Sequence, residues 1–314
     1  MAGAPTCHNC GTALPRAALF CPKCGRPVFT MSARRAKRAR DASLLGIAGS
    51  LLMVLQAVLM LATGAIAFSA LRIATRGDLT SALGVARSAA VTVGFALLFD
   101  LVGVAFLAGA FYIHMRMARA AATFSSNDPD RRALAFRGFL TALFLALWLA
   151  VTLAWRGALA AFISFYPSPF GVDLGGVGSA ELRRAASIML GLWVAAAFLL
   201  FLAALLGTRF LERARGQRLT FWRLLWPVET AIHFTAAVVI ALAAPSLLAD
   251  VQIDLGELQL VGILGTIELI VVPILACLAY GSLLRDFYGM FREMPWSHAP
   301  GLAPAAADPP GGTG

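Results

Sequence analysis

Six long apolar segments constrain the fold of this 314-residue chain more than any other feature of its sequence. The first segment, between Asp41 and Arg72, contains no charged residue. A helix rises about 1.5 Å per residue, so about 20 apolar residues can cross the roughly 30 Å hydrocarbon core of a bilayer. The segments predict membrane-spanning helices at about 43–71, 88–115, 138–166, 185–208, 226–249 and 258–284, within a domain over residues 43–286.

The composition excludes a water-soluble domain. Hydrophobic residues make up 60% of the chain and charged residues 13%. Soluble domains average about 45–50% apolar and about 25% charged residues. We therefore expect an all-α integral membrane protein built as a six-helix transmembrane bundle.

The distribution of Lys and Arg predicts how the helices are oriented. The formal net charge is +10, and most basic residues precede the first segment or follow the second, fourth and sixth segments. Loops rich in Lys and Arg stay in the cytoplasm, so both termini are predicted to be cytoplasmic and the protein to lie in the cell membrane. Because topology accounts for the positive charge, nucleic-acid binding is not expected.

The residues before the first apolar segment are hydrophilic. Residues 30–42 predict a basic juxtamembrane linker, in which residues 34–40 contact anionic lipid headgroups. We expect no signal peptide, because the first apolar run begins only after about forty residues. At the other end, residues 287–314 are rich in Pro, Gly and Ala and predict a disordered tail.

Four of the five cysteines occur in the first 24 residues, as Cys7-x2-Cys10 and Cys21-x2-Cys24. Two such pairs let four thiolates converge on one Zn²⁺, and a closed four-sulfur site is structural. The spacing predicts a zinc ribbon at residues 1–29, in which His8 is not a ligand. Two disulfides are the alternative, but a reducing cytoplasm argues against them. Cys277, inside an apolar segment, is expected to be a small buried hydrophobic residue.

The residues around these cysteines resemble a known family. Cys-His-Asn-Cys-Gly at residues 7–11 and Phe-Cys-Pro-Lys-Cys-Gly-Arg-Pro at residues 20–27 resemble the short zinc ribbons that begin many prokaryotic membrane and regulatory proteins. The resemblance covers residues 5–29. With its apolar segments, the chain is similar to archaeal and bacterial multi-pass membrane proteins in which a ribbon precedes a bundle. This implies a zinc site and a membrane location. The ribbon then serves either as a stable cap or as a docking surface for another protein.

Five ionisable residues fall inside the apolar segments: Asp100, Arg156, Glu229, His233 and Glu268. Each costs at least about 2.5–3.5 kcal/mol near mid-bilayer, so each is a candidate functional residue. Asp100 and Arg156 are expected to pair. The charges then either orient the bundle only, or Asp100, Glu268 and His233 face a polar cavity and relay a proton or ion. Pro273 favours the second interpretation, because it removes a backbone hydrogen bond near Glu268.

Three predicted outer loops carry an Asp before an apolar segment: Asp78, Asp173 and Asp254. The pattern indicates either three repeated helical hairpins or, independently at each site, an Asp that caps a helix.

No enzyme signature is present. The sequence lacks an HExxH pair, a Gly-x-Ser-x-Gly elbow and a phosphate-binding GxxxxGK[ST] loop, so we expect no enzymatic activity.

Two functions are consistent with the sequence. One is a membrane anchor or regulator whose ribbon docks a cytoplasmic protein. The alternative is a secondary transporter or proton-coupled carrier that uses Asp100, Glu268 and His233.

Overall fold

The computed structural model describes residues 6–7, 9–14, 18–24, 33–74, 76, 78–124, 129–165, 179–215, 221–247 and 267–293. Its helices are α1 (Ala33–Ala74), α2 (Leu79–Phe124), α3 (Pro129–Phe165), α4 (Ser179–Arg215), α5 (Phe221–Leu247) and α6 (Val272–Glu293), the last preceded by a π-helical turn at Ile267–Val271. Six segments within this part of the chain are long and apolar enough to cross a membrane: Lys37–Ala70, Val91–Ala120, Pro129–Arg156, Ser187–Arg215, Phe221–Leu242 and Ile267–Arg292. The expected fold, an all-α bundle of six apolar helices behind a four-cysteine ribbon, is confirmed.

The six helices form a closed ring. Each helix packs against its neighbours in sequence, and α1 also packs against α6. Helices α1 and α2 approach each other closely, because a Cβ atom on Gly49 would lie only 2.7 Å from the backbone oxygen of Gly103. Helices come this close only where small residues leave room for the neighbouring backbone. A ring of six helices has space at its centre, and that space holds the candidate site.

An aromatic cluster ties four helices together near one end of the ring. The Phe111 ring of α2 stacks on Trp226 of α5 at 6.1 Å between centroids. It also meets Phe210 of α4 and Phe287 of α6 edge to face, at 5.9 and 5.8 Å. Edge-to-face and offset-stacked rings are the favourable aromatic geometries. The cluster closes the bundle between its centre and the ribbon.

Large apolar side chains cover the outside of the bundle. The side chains that show this are 48–75% exposed: Leu51, Phe68, Phe95, Leu153 and Leu242. Contiguous apolar surface of this kind is rare on soluble proteins. The outer surface is therefore suited to lipid.

Two segments predicted to lie outside the membrane domain overlap helices in the structure. Helix α6 continues to Glu293, past the start of the tail predicted at residue 287, because Phe287 and Met290 are fully buried in the bundle. Helix α1 begins at Ala33, so most of the predicted linker is its first three turns, and Ala39 is buried. Residues 30–32, 258–266 and 294–314 lie outside the described residues.

Part of the basic segment remains available for lipid headgroups. Lys37 and Arg38 are exposed. The Arg40 guanidinium instead lies over the Phe291 ring of α6, 4.9 Å from its centroid. The side chains of Arg34 and Arg35 are not among those described. The headgroup contact stays a prediction.

Asp78 caps helix α2. The Ser81 backbone N–H donates to Asp78 Oδ1 at 3.0 Å, which is the N-cap geometry. Hydrogen bonding to Ser81 lowers the pKa of Asp78. The N-cap role therefore explains the presence of Asp78 without a repeated helical hairpin. Asp173 and Asp254 lie outside the described residues, so the three-hairpin hypothesis stays open.

Candidate functional site

The first cysteine pair lies in a tight turn. Thr6 and Ala13 pair in an isolated antiparallel bridge. The Cys7 N–H donates to the Thr12 carbonyl, and the Gly11 N–H donates to the Cys7 carbonyl, both at 2.9 Å. Gly11 has φ +67°, in the left-handed region that glycine adopts without a Cβ penalty. The turn directs the thiols of Cys7 and Cys10 to one side.

The four thiols converge as the cysteine spacing predicts. Cys7 Sγ lies 3.6 Å from Cys24 Sγ, and Cys10 Sγ lies 3.6 Å from Cys21 Sγ. All four sulfurs lie within 4.8 Å of one another. Tetrahedral Zn–S bonds of about 2.3 Å place sulfurs about 3.8 Å apart, so the cluster fits Zn²⁺. No disulfide joins any of the five cysteines. His8 lies outside the described residues.

The thiols differ in acidity. Hydrogen bonding with the Thr12 side chain, and then with its backbone, lowers the pKa of the Cys10 thiol to about 6. Burial raises the pKa of Cys21 to about 11. Metal coordination requires thiolates, so bound Zn²⁺ would supply the charge that keeps the buried Cys21 deprotonated.

The ribbon is attached to the bundle through its apolar side. Ala18, Leu19 and Phe20 are at most 1% exposed. The N–H groups of Leu19 and Phe20 donate to the Ala214 carbonyl at 2.9 and 3.2 Å. The last carbonyls of a helix have no partner within the helix, so the ribbon caps the end of α4.

An ion cluster lies next to this contact, and sequence reasoning missed it. Asp286 of α6 accepts hydrogen bonds from Arg215 Nη1 of α4 and from Nε and Nη2 of Arg223 of α5, each at 2.8 Å. Asp286 and Arg223 are 5% and 7% exposed. Their positions near helix ends gave no signal, because charges there usually reach water.

All five intramembrane ionisable residues predicted from the sequence line one cavity of about 460 Å³ at the centre of the ring. Every helix contributes to its wall. Glu229 and His233 come from the same face of α5, Asp100 from α2, Arg156 from α3 and Glu268 from the π-helical turn. The sequence identified these residues because charges are rare in apolar segments. Their convergence depends on the closure of the ring.

Two pairs of ionisable side chains contact each other on the cavity wall. Arg156 Nη2 lies 3.3 Å from Asp100 Oδ2, the pair that the sequence predicts. Arg156 Nη1 also donates to the Leu97 carbonyl at 2.8 Å. On the other side, His233 Nδ1 lies 2.8 Å from Glu268 Oε2. These contacts join α2 to α3 and α5 to the turn before α6.

Two buried carboxylate oxygens in the cavity have no protein partner. They are Glu229 Oε2 and Glu268 Oε1. Glu229 is only 5% exposed, and no hydrogen bond from the described residues reaches its Oε2 atom. A buried polar atom without a partner costs about 1–3 kcal/mol, and more when it is charged. Buried carboxylate oxygens without a protein partner are typical of groups that bind a ligand, a proton or water.

The remaining wall is aromatic and apolar. Trp148, Trp155, Trp193 and Tyr280 all line the cavity. The Trp193 ring meets the His233 ring edge to face at 5.8 Å. Of the described residues, only the four ribbon cysteines bring three or more metal-ligand atoms together. The cavity wall therefore combines aromatic and apolar side chains with carboxylates that, among the described residues, do not cluster as metal ligands do.

A family model described as a zinc-ribbon domain matches residues 6–28. No match was found among curated proteins or among solved structures. The match supports zinc binding by the four cysteines and covers none of the bundle.

Proposed function

We propose that this protein is a secondary carrier of the cell membrane that binds a small solute in the central cavity. Both termini lie in the cytoplasm, and the ribbon holds Zn²⁺ as a structural cap on that side. The observation that carries this proposal is the convergence of five ionisable side chains on one 460 Å³ cavity inside an apolar ring. Charges that served only to orient helices would not need to surround a shared space.

The irregular geometry at the start of the last helix supports the proposal. Glu268 lies in the π-helical turn, and Pro273 follows at the start of α6 and also lines the cavity. Pro removes a helical hydrogen bond, and π-turns are frequent at functional sites. In secondary transporters, interrupted helices lie beside midplane binding sites and move as the site opens to each side.

The anchor or regulator hypothesis has less support. Its docking surface would have to exclude Ala18, Leu19 and Phe20, which are already buried in the contact with α4. The exposed side of the ribbon, with Pro22 and Lys23, remains free for a cytoplasmic protein. This partner stays a prediction.

A carrier cavity must be reachable from both sides of the membrane. Thr152 lines the cavity and is 5% exposed, so Thr152→Cys places a small thiol there. We expect a cationic, membrane-impermeant methanethiosulfonate to modify this thiol in right-side-out vesicles and in inside-out vesicles. Peptide mass spectrometry reads the modification at position 152 separately from the native cysteines.

Leu153→Cys is the matched control. Leu153 is the next residue on α3, but it is 56% exposed on the outer apolar surface. A thiol surrounded by lipid does not ionise, so position 153 should stay unmodified in both preparations. Modification of position 152 from one side only, or from neither side, would contradict carriage through the cavity.

A further inference from the structure

We infer that the solute is an amphipathic organic cation and that Glu229 is its counter-ion, an inference that rests on the proposed carrier function. The ionisable groups on the cavity wall are three carboxylates, one guanidinium and one imidazole. With a neutral imidazole the wall is formally negative. A cation is therefore the solute charge that this cavity attracts.

The three carboxylates are not equivalent. Asp100 faces Arg156 at 3.3 Å, and Glu268 uses Oε2 to contact His233 at 2.8 Å. Glu229 is buried, and the described part of the chain gives its Oε2 atom no hydrogen-bond partner. A buried charge without a partner is strongly unfavourable, so a bound cation stabilises Glu229 more than either of the other two acids.

The aromatic residues favour an organic cation over a small inorganic one. Three tryptophans and a tyrosine line the same space as Glu229. Tryptophan binds ammonium groups best among aromatic residues, and aromatic cages are a common way to bind quaternary ammonium. The apolar part of the solute packs on Met53, Met60 and Leu200, which also line the cavity.

The test compares two ligands that differ only in charge. Benzyltrimethylammonium carries a quaternary nitrogen, and neopentylbenzene has a carbon atom in its place. Both are titrated calorimetrically into the full-length, zinc-loaded protein in detergent, with empty micelles as the blank. We expect the cation to bind and the hydrocarbon to bind much more weakly. Glu229→Gln should weaken cation binding about thirtyfold or more, as for loss of a buried charge partner.

Glu212→Gln is the matched control, because Glu212 is paired with Arg209 on the surface of α4, away from the cavity. It should leave cation affinity unchanged. Equal binding of the two ligands by the wild-type protein, or no binding of either, would overturn the inference even if Glu229→Gln fails to fold. Unchanged cation affinity in a folded Glu229→Gln variant would overturn the counter-ion role. In each case the labelling of Thr152→Cys decides independently whether the protein is a carrier.

Discussion

At the scale of single residues, Asp286 has the clearest energetic role. Its carboxylate contacts both Arg215 and Arg223 in the buried cluster. Asp286→Asn removes the buried carboxylate charge from both contacts, and breaking a buried ion pair costs about 3–5 kcal/mol. We expect a loss of that size in the free energy of unfolding, measured by denaturant titration in mixed micelles.

The surface pair on the same end of α4 provides the control for this prediction. Arg209 lies 3.3 Å from Glu212, but its side chain is 61% exposed. Exposed pairs contribute about 0.2–1 kcal/mol, so Glu212→Gln should lower stability by no more than about 1 kcal/mol. Similar losses in the two variants would mean that Asp286 is better hydrated than its burial indicates.

At the scale of helices, the contact of α1 with α2 depends on glycine. A Cβ on Gly49 meets the backbone oxygen of Gly103, which cannot rotate away as a side chain can. Overpacking of this kind costs about 1–3 kcal/mol. We expect Gly49→Ala to lower the melting temperature in detergent. Gly94→Ala, where nothing lies within 4 Å of the new Cβ, should not lower it. Equal melting temperatures would show that α1 and α2 can separate without cost.

The helices and the ribbon were predictable, whereas most of the contacts between them were not. Apolar length and cysteine spacing are local signals, and each acts without reference to the rest of the chain. The pairing of Asp100 with Arg156 could be anticipated because few charges were available to neutralise each other. The Glu268–His233 contact depends on the closure of the helix ring. The attachment of Phe20 to α4 depends on where the ribbon packs against the bundle. No local sequence pattern encodes either arrangement. Asp286 was missed because its burial comes from three helix ends that meet only in the folded chain.

At the scale of the whole molecule, the ribbon should separate from the bundle when Zn²⁺ is removed. A ribbon of this size has too few apolar residues to fold alone, so metal binding supplies its folding free energy. The ring has its own core in Phe111, Trp226 and Phe287. We therefore expect a chelator to increase hydrogen exchange at Leu19, Phe20 and the last turn of α4, while the centres of the helices stay protected. Cys21→Ser should reproduce this pattern, and Cys277→Ser, a cysteine in the bundle, should not. Loss of protection throughout the ring would instead make the ribbon part of one cooperative folding unit with the helices.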